Sequence, residues 1–327
     1  MPLPESRKIL SIILKLGIGI GSIVIIYLRL HSDLTPDKLK LLVTQLSGTT
    51  ALLTLITCGL MMPLNWGIES YKWMIITAPI QKIGFGRAAR AVYSGLCLGN
   101  FAPGRATEFI AKILFFEPKN RPQVTVLHFI GGMFQLFVTV LFGTAGILFR
   151  LNDLGNDQQW LAYLGASLIV LLSMLLSLCI FKADALLNFV SRRFIRNQPI
   201  GAFHYRFSGK LVSALFAFSI LRFLVFTTQF VMIISIFHNE AFSLKVFGSV
   251  AIYFLITTSV PMFSLAEPAI RTAIALLVFA GCGIDNSVMA ICTILLWIIN
   301  IVLPSVAGYY FLVQENFNFK LSKKKSD

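Results

Sequence analysis

Apolar residues fall in long blocks along this chain, and polar residues gather between the blocks. Six blocks reach or approach the roughly 20 residues that a helix needs to cross about 30 Å of hydrocarbon: 9–28, 50–68, 124–149, 159–181, 211–237 and 287–313. Two further stretches, 88–118 and 245–282, are as apolar but are cut by Pro103-Gly104 and by Pro261. Each of their limbs has roughly 15 residues, about 22 Å of helix at 1.5 Å per residue. That length is short for a crossing and suits a re-entrant hairpin; two short tilted spans are the alternative. Broken backbone is tolerated at membrane depth only where protein or a wet cavity covers it. Between the blocks, 36–46 and 184–196 pattern as amphipathic helices lying on the membrane surface. The second is basic and suits anionic headgroups, and the C-terminal "KLSKKKSD" reads as a basic cytoplasmic anchor. The pattern predicts an all-α polytopic membrane protein of about six full spans and two broken hairpins.

The two hairpins carry the same signature. In "PGRATEFIAK" (103–112) and "PMFSLAEPAIR" (261–271) a proline is followed by a glutamate and then by a base four residues on. Glu108 and Glu267 are 159 positions apart, as are Lys112 and Arg271; the span starting at 50 corresponds to that at 211, and the span at 124 to that at 287. Each half is then span, span, hairpin, span, and the two halves start on opposite sides. The chain reads as a single transmembrane domain built from inverted halves, 1–152 and 153–315, followed by the tail 316–327. Inverted repeats with broken helices near the midplane are typical of transporters.

Composition agrees with membrane residence: 57% of the 327 residues are hydrophobic and only 13% charged, where a soluble domain has about a quarter charged. The net charge of +14 and the pI near 9.8 would suggest nucleic acid if the bases were clustered on a soluble face. They follow topology instead. With the N-terminus inside and both hairpins returning to the side they left, 18 Lys and Arg lie inside and five outside, the bias that insertion favours. This places both termini in the cytoplasm and the chain in a bacterial-type inner membrane, with no nucleic-acid partner. Five cysteines without C-x-x-C spacing read as small buried residues, and four dispersed histidines argue against a metal site. "GFGRAAR" at 84–90 lacks the third glycine of a nucleotide loop. With no nucleophile beside a base and no phosphate loop, neither enzyme activity nor a cofactor is expected.

The remaining charges lie inside membrane segments: Lys15, Arg105, Lys112, Arg222 and Arg271, with Glu108 and Glu267. Glutamate and base at i and i+4 share one helix face. Each pair either neutralises itself and holds its hairpin together, or lines a cavity that binds a polar headgroup. Ionisable residues inside the membrane default to function, and a helix restarting after a proline offers amide groups to an anion. Arg222, mid-span, needs a carboxylate such as Glu267 or a ligand phosphate. Asn100, just before the first break, either caps the new helix or contacts ligand. Lys15 is expected to snorkel to the cytoplasmic end. Asn65, Trp66, Tyr71 and Trp73 are expected at the inner interface as an aromatic belt, and Gly131-Gly132 and Gly143 at close helix contacts.

"NWGIESYKW" at 65–73, "FGRAARAVYSGLCLGNFAPGRATEFIAKILFF" at 85–116 and "SVPMFSLAEPAIRTAIALLVF" at 259–279 resemble the lysylphosphatidylglycerol synthase transmembrane-region family of flippase-like proteins. The resemblance covers essentially the whole chain. Its first motif, P-G-R-x-G-E, falls on Pro103, Gly104, Arg105 and Glu108, with Thr107 where the family often has glycine. The second motif is usually glycine-rich, and here it has no glycine and a different order of charges. The best-known members add a cytosolic domain that attaches lysine to phosphatidylglycerol, and their membrane half moves that lipid outward. No such domain is expected in this chain. The resemblance therefore implies a flippase for a phosphate-bearing membrane phospholipid, with Arg105, Lys112, Arg222 and Arg271 binding phosphate. Glu108 and Glu267 would balance those bases, contact a cationic headgroup or carry a proton. A small-solute transporter, an enzyme acting on lipid within the membrane, and a non-transporting assembly factor are the rival expectations.

Overall fold

The computed structural model describes residues 24–28, 35–100, 107–154, 159–183, 185, 188–189, 207–260, 262 and 266–315. Among them there is no strand. After a helical stretch at 24–28, the chain forms α1 (Pro36–Ser47), α2 (Thr49–Thr77), α3 (Phe85–Gly99), α4 (Glu108–Leu114), α5 (Arg121–Leu154) and α6 (Gln159–Phe181). There follow α7 (Gly209–Ser235), α8 (Leu244–Ser259), α9 (Glu267–Val278), α10 (Asn286–Trp297) and α11 (Leu303–Gln314), the last two joined by a π turn at Ile298–Val302. Five stretches among the described residues are long and apolar enough to cross a membrane: Thr49–Thr77, Pro118–Arg150, Tyr163–Phe181, Gly209–Ser235 and Asn286–Gln314. They coincide with five of the six expected spans. The other, 9–28, lies outside the described residues except for 24–28. Leucines 52, 53 and 60 of α2 and 171, 175 and 178 of α6 face outward, exposed on the surface, as a helical membrane protein requires of its lipid-facing side.

Helix α2 runs nine residues past the expected end at 68. Trp66 and Trp73 are therefore buried core residues and not an interfacial belt, and only Tyr71 of that set is exposed. The polar groups on this turn are satisfied within the helix, Ser70 Oγ donating to the Trp66 carbonyl at 2.7 Å and Thr77 Oγ1 to that of Trp73 at 2.8 Å. Lys72, counted among the 18 bases inside, is 3% exposed.

Both broken stretches are hairpins. Helices stop at Gly99 and Ser259 and resume at Glu108 and Glu267; Pro103, Gly104 and Pro261 fall between, outside the described residues. In the first, Arg87 at the start of α3 donates to the Phe115 carbonyl beyond α4 at 2.9 Å, and Thr107 Oγ1 donates to the Leu98 carbonyl at 2.5 Å. The limbs are thus antiparallel and return to one end. They touch at Gly95, where a Cβ would sit 3.0 Å from both the Glu108 carbonyl and Lys112 Cγ. In the second, Ser249 of α8 and Cys282 beyond α9 approach to 3.3 Å. Arg150, counted among the five bases outside, is buried and ties this base together, donating to Ser249 Oγ at 2.7 Å and to the Val278 carbonyl at 2.9 Å. Each restarting limb begins with a glutamate, in α9 followed by Pro268 in the first turn. Proline and an acid are both favourable there, the first for lack of an N–H to satisfy and the second for the helix dipole.

Each hairpin packs its first limb against the last long helix of the other half. On one side Gly143 and Gly146 of α5 accept α8, a Cβ at either coming within 2.6 Å of Leu255 Cβ or the Gly248 carbonyl. On the other, Gly308 of α11 accepts α3, where a Cβ would overlap the Tyr93 carbonyl. Small residues let helix backbones approach in this way. Gly143 does what its sequence context predicts; Gly131 and Gly132 do not. Gly131 meets only Ile76 Cδ1, at 3.6 Å, and Gly132 has nothing within 4 Å.

The amphipathic α1 sinks Leu42 into the core while Leu41 and Val43 stay exposed. Lys38 fastens it to Asp285, the N-cap of α10, at 2.5 Å. Burial raises the Asp285 pKa, but hydrogen bonds from Lys38 and from the Ser287 amide outweigh it and hold the carboxyl below its ordinary value. A lowered acid contributes stability above its unfolded pKa, near 4, and loses it as pH falls through the folded value. The pair is about a third exposed, so its worth is under about 1 kcal/mol. Hydrogen-exchange protection of 36–47 is expected to drop as pH falls below about 4, and Asp285→Asn should show the weaker protection already at pH 7. Equal protection in both proteins at pH 7 refutes the latch. The second amphipathic segment, 184–196, and the tail, 316–327, lie almost wholly outside the described residues.

Candidate functional site

A cavity of about 520 Å³ lies between the hairpins, walled by α2, α4, α5, α7, α8, α9, the end of α10 and the π turn. Its volume is in the range of pockets for small ligands. Glu108, Lys112, Arg222 and Arg271 line it, and Glu267 joins it through Arg271, whose Nε and Nη2 both bond Glu267 Oε1 at 2.9 Å. The fully buried Tyr253 also bonds Arg271. Five of the sequence-predicted residues are thereby gathered at one place. Asn100 is not among the lining residues: it ends α3, and its Nδ2 donates to Ser305 Oγ of α11 at 2.6 Å, tying hairpin to helix. Arg105 lies outside the described residues.

The centre of the site was missed. Glu69 of α2 holds Arg222 Nη1 at 2.5 Å, Lys72 Nζ at 3.5 Å and Lys112 Nζ at 3.6 Å. Lys112 is also bound to Glu108 at 2.7 Å. Arg222 thus takes neither Glu267 nor an open position; Glu69 is its carboxylate, and Asn65 Oδ1 accepts from its Nε at 3.0 Å. The signal was present in "NWGIESYKW". Asn65, Glu69 and Lys72, spaced by four and three, stand on one face of a helix, and an acid within an apolar helix demands a partner.

Aromatic rings fix the cations. The Arg222 guanidinium lies 5.2 Å from the Trp66 ring centre and 5.7 Å from that of Phe226, and Lys112 Nζ lies 5.4 Å from Trp73. Such contacts add about 0.5–2 kcal/mol each where water is excluded. His128 packs edge-on against Phe129 and Trp73 on the same wall. Trp66 is itself oriented by a backbone irregularity. Pro304 has no N–H to give the Asn300 carbonyl four residues earlier, and that carbonyl accepts from Trp66 Nε1 at 3.3 Å. The π turn at Ile298–Val302 sits at this point, as π turns do at functional sites.

Several groups of lining residues have no hydrogen-bond partner among the described residues: the indole N–H of Trp73 and of Trp297, and the side-chain carbonyls of Gln135 and Asn300. These atoms are themselves buried, although their residues line the cavity. Gly131 and Gly132, without side chains, leave its α5 wall open.

Fold and site together define an all-helical multi-pass membrane protein with a charged cavity among its helices. No family model matches the chain, and no curated protein matches it either.

Proposed function

We propose that this chain is a lipid translocase, carrying a phosphate-bearing headgroup through the cavity while the acyl tails remain in the bilayer. The observation that carries the reading is the convergence of charge from both hairpins and from α2 and α7 on one cavity, inside a molecule whose outer face is apolar. The flippase-like family that 65–73, 85–116 and 259–279 resemble supports the same reading.

The two halves support it too. Helices starting at Thr49, Phe85 and Glu108 recur at Gly209, Leu244 and Glu267, 159 or 160 positions on. The reciprocal packing of α3 on α11 and of α8 on α5 is what an inverted repeat produces. Such a repeat lets the hairpins rock about a fixed central site. The inner membrane, with both termini cytoplasmic, is the orientation that the distribution of Lys and Arg favours.

The test is movement of headgroup-labelled lipids across liposomes containing the purified protein. Glu108→Gln and Arg271→Ala should slow movement at least tenfold, equivalent to about 1.4 kcal/mol of lost stabilisation. Gly132→Leu, placed where nothing lies within 4 Å, should slow it as much while leaving the melting temperature unchanged. Movement at the wild-type rate in all three sinks the proposal. Uptake of a soluble compound without lipid movement would instead make the chain a solute transporter.

A further inference from the structure

A phosphate oxygen must meet a base that still shows surface to the cavity, and the four described bases differ sharply in this. Lys112, Lys72 and Arg222 keep only 2%, 4% and 9% of their side-chain surface, whereas Arg271 keeps 19%. Both lysines turn their ammonium groups to Glu69, and Lys112 turns to Glu108 as well. Arg222 gives Nε to Asn65 and Nη1 to Glu69, while the rings of Trp66 and Phe226 lie 5.2 and 5.7 Å from its guanidinium carbon. These three are counterions inside the wall. Drawing one away to a ligand would strand a buried carboxylate, which is costly.

Arg271 is held differently. Its Nε and Nη2 share the single oxygen Oε1 of Glu267, and the guanidinium also bonds the hydroxyl of Tyr253. A guanidinium has five N–H donors in a rigid fork, so these partners do not exhaust it. Tyr253 is fully buried, its ring centre 5.1 Å from that of Phe230, 5.4 Å from Phe254 and 6.4 Å from Phe279. Phenylalanine would fill such an aromatic cluster equally well. A buried tyrosine hydroxyl calls for a partner, and Arg271 is that partner. Tyr253 stands on α8 and Arg271 on α9, so the bond spans the break of the second hairpin and fixes the guanidinium from the opposite limb.

We propose that, among the described bases, Arg271 is the one that takes the ligand phosphate and Tyr253 is its positioning residue, whereas Lys72, Lys112 and Arg222 shape the cavity without touching the ligand. This rests on the translocase reading, and it narrows the phosphate contacts that the family resemblance implies.

The test is a calorimetric titration of the purified full chain with two tail-matched short-chain lipids, phosphatidylmethanol and the diacylglycerol that lacks its phosphate. The readout is the ratio of the two affinities. Damage to the cavity weakens both lipids together, and only loss of a phosphate contact collapses the ratio. Arg271→Gln should lower the ratio about tenfold, and Tyr253→Phe about threefold, as loss and misplacement of a hydrogen bond to a charged group imply. Glu69→Gln with Arg222→Met also removes a carboxylate and a guanidinium, yet it should keep the wild-type ratio even where both affinities fall.

A ratio intact in Arg271→Gln, or lost as fully in the Glu69 and Arg222 double variant, overturns the proposal. Where Arg271→Gln fails to fold, Arg271→Lys decides, because it keeps the charge beside Glu267 but not the fork; an unchanged ratio there overturns the phosphate contact. An unchanged ratio in Tyr253→Phe overturns the positioning role. Labelled lipids that cross liposomes while Arg271→Gln keeps its ratio leave the translocase reading standing and this one refuted. Dimethyl phosphate, the same headgroup without tails, separates a lipid from a soluble anion. If it binds as tightly as phosphatidylmethanol, depends on Arg271 and no lipid crosses, the contact stands and the translocase falls.

Discussion

Glu69→Gln is expected to destabilise the protein by about 3 kcal/mol and to abolish transport. One carboxylate restrains three bases drawn from α2, α4 and α7, and two of those helices belong to different halves of the chain. Glutamine keeps the shape and a hydrogen-bond acceptor but removes the charge. Taking one partner from a buried ion pair costs about 3–5 kcal/mol, because the other charge is left uncompensated. The Glu69 side chain is 19% exposed to the cavity, which favours the lower end. Removing a base as well should recover part of the loss: Glu69→Gln with Arg222→Met should be less destabilised than the sum of the single variants, the mark of coupled groups. Thermal unfolding in detergent measures all three proteins. A Glu69→Gln protein that melts with wild type would show that the network is held by something other than this carboxylate.

The second large effect is expected at Gly308. A single methyl there would overlap the Tyr93 carbonyl and lie 2.6 Å from its carbon. Backbone cannot rotate out of the way as a side chain can, so α3 and α11 must separate. Overpacking commonly costs 1–3 kcal/mol, and a backbone clash belongs at or above the top of that range. Gly308→Ala should therefore cost about 3 kcal/mol and loosen the first hairpin. The control is Gly132→Ala, which meets nothing within 4 Å and gains helix propensity of up to about 1 kcal/mol. If both variants melt alike, the close approach of α3 to α11 does not contribute as described.

Much of this architecture could be read from the chain because its causes are local. Five spans announce themselves by length and hydropathy, and the hairpins by prolines inside apolar stretches. Glu108–Lys112 and Glu267–Arg271 are local too, since i and i+4 residues meet on any helix. What stayed hidden depends on how separate helices cross. Nothing in the neighbourhood of Arg222 points to Glu69, 153 residues away, and a span counted by hydropathy ends at 68, just short of that acid. The contact of Asn100 with Ser305 was hidden for the same reason, since no rule of spacing links them. Gly131 and Gly132 show the converse error. A glycine pair in an apolar helix reads equally well as a contact or as empty room, and only the neighbouring helix decides which.

The proline at 304 has a mechanical consequence. It divides the last long helix into α10 and α11, joined by a turn with looser hydrogen bonding than the helices on either side. The lower segment is fastened to the first hairpin, through Gly308 against Tyr93 and through Ser305 against Asn100. The upper segment is bound into the core around α7 and α9, where Cys292 donates to the Ile233 carbonyl. Two blocks therefore share one helix, and the cavity lies along their seam. Any relative rotation of the blocks concentrates bending at Ile298–Val302, the weakest point of the shared rod. The Trp66–Asn300 hydrogen bond anchors that turn to α2.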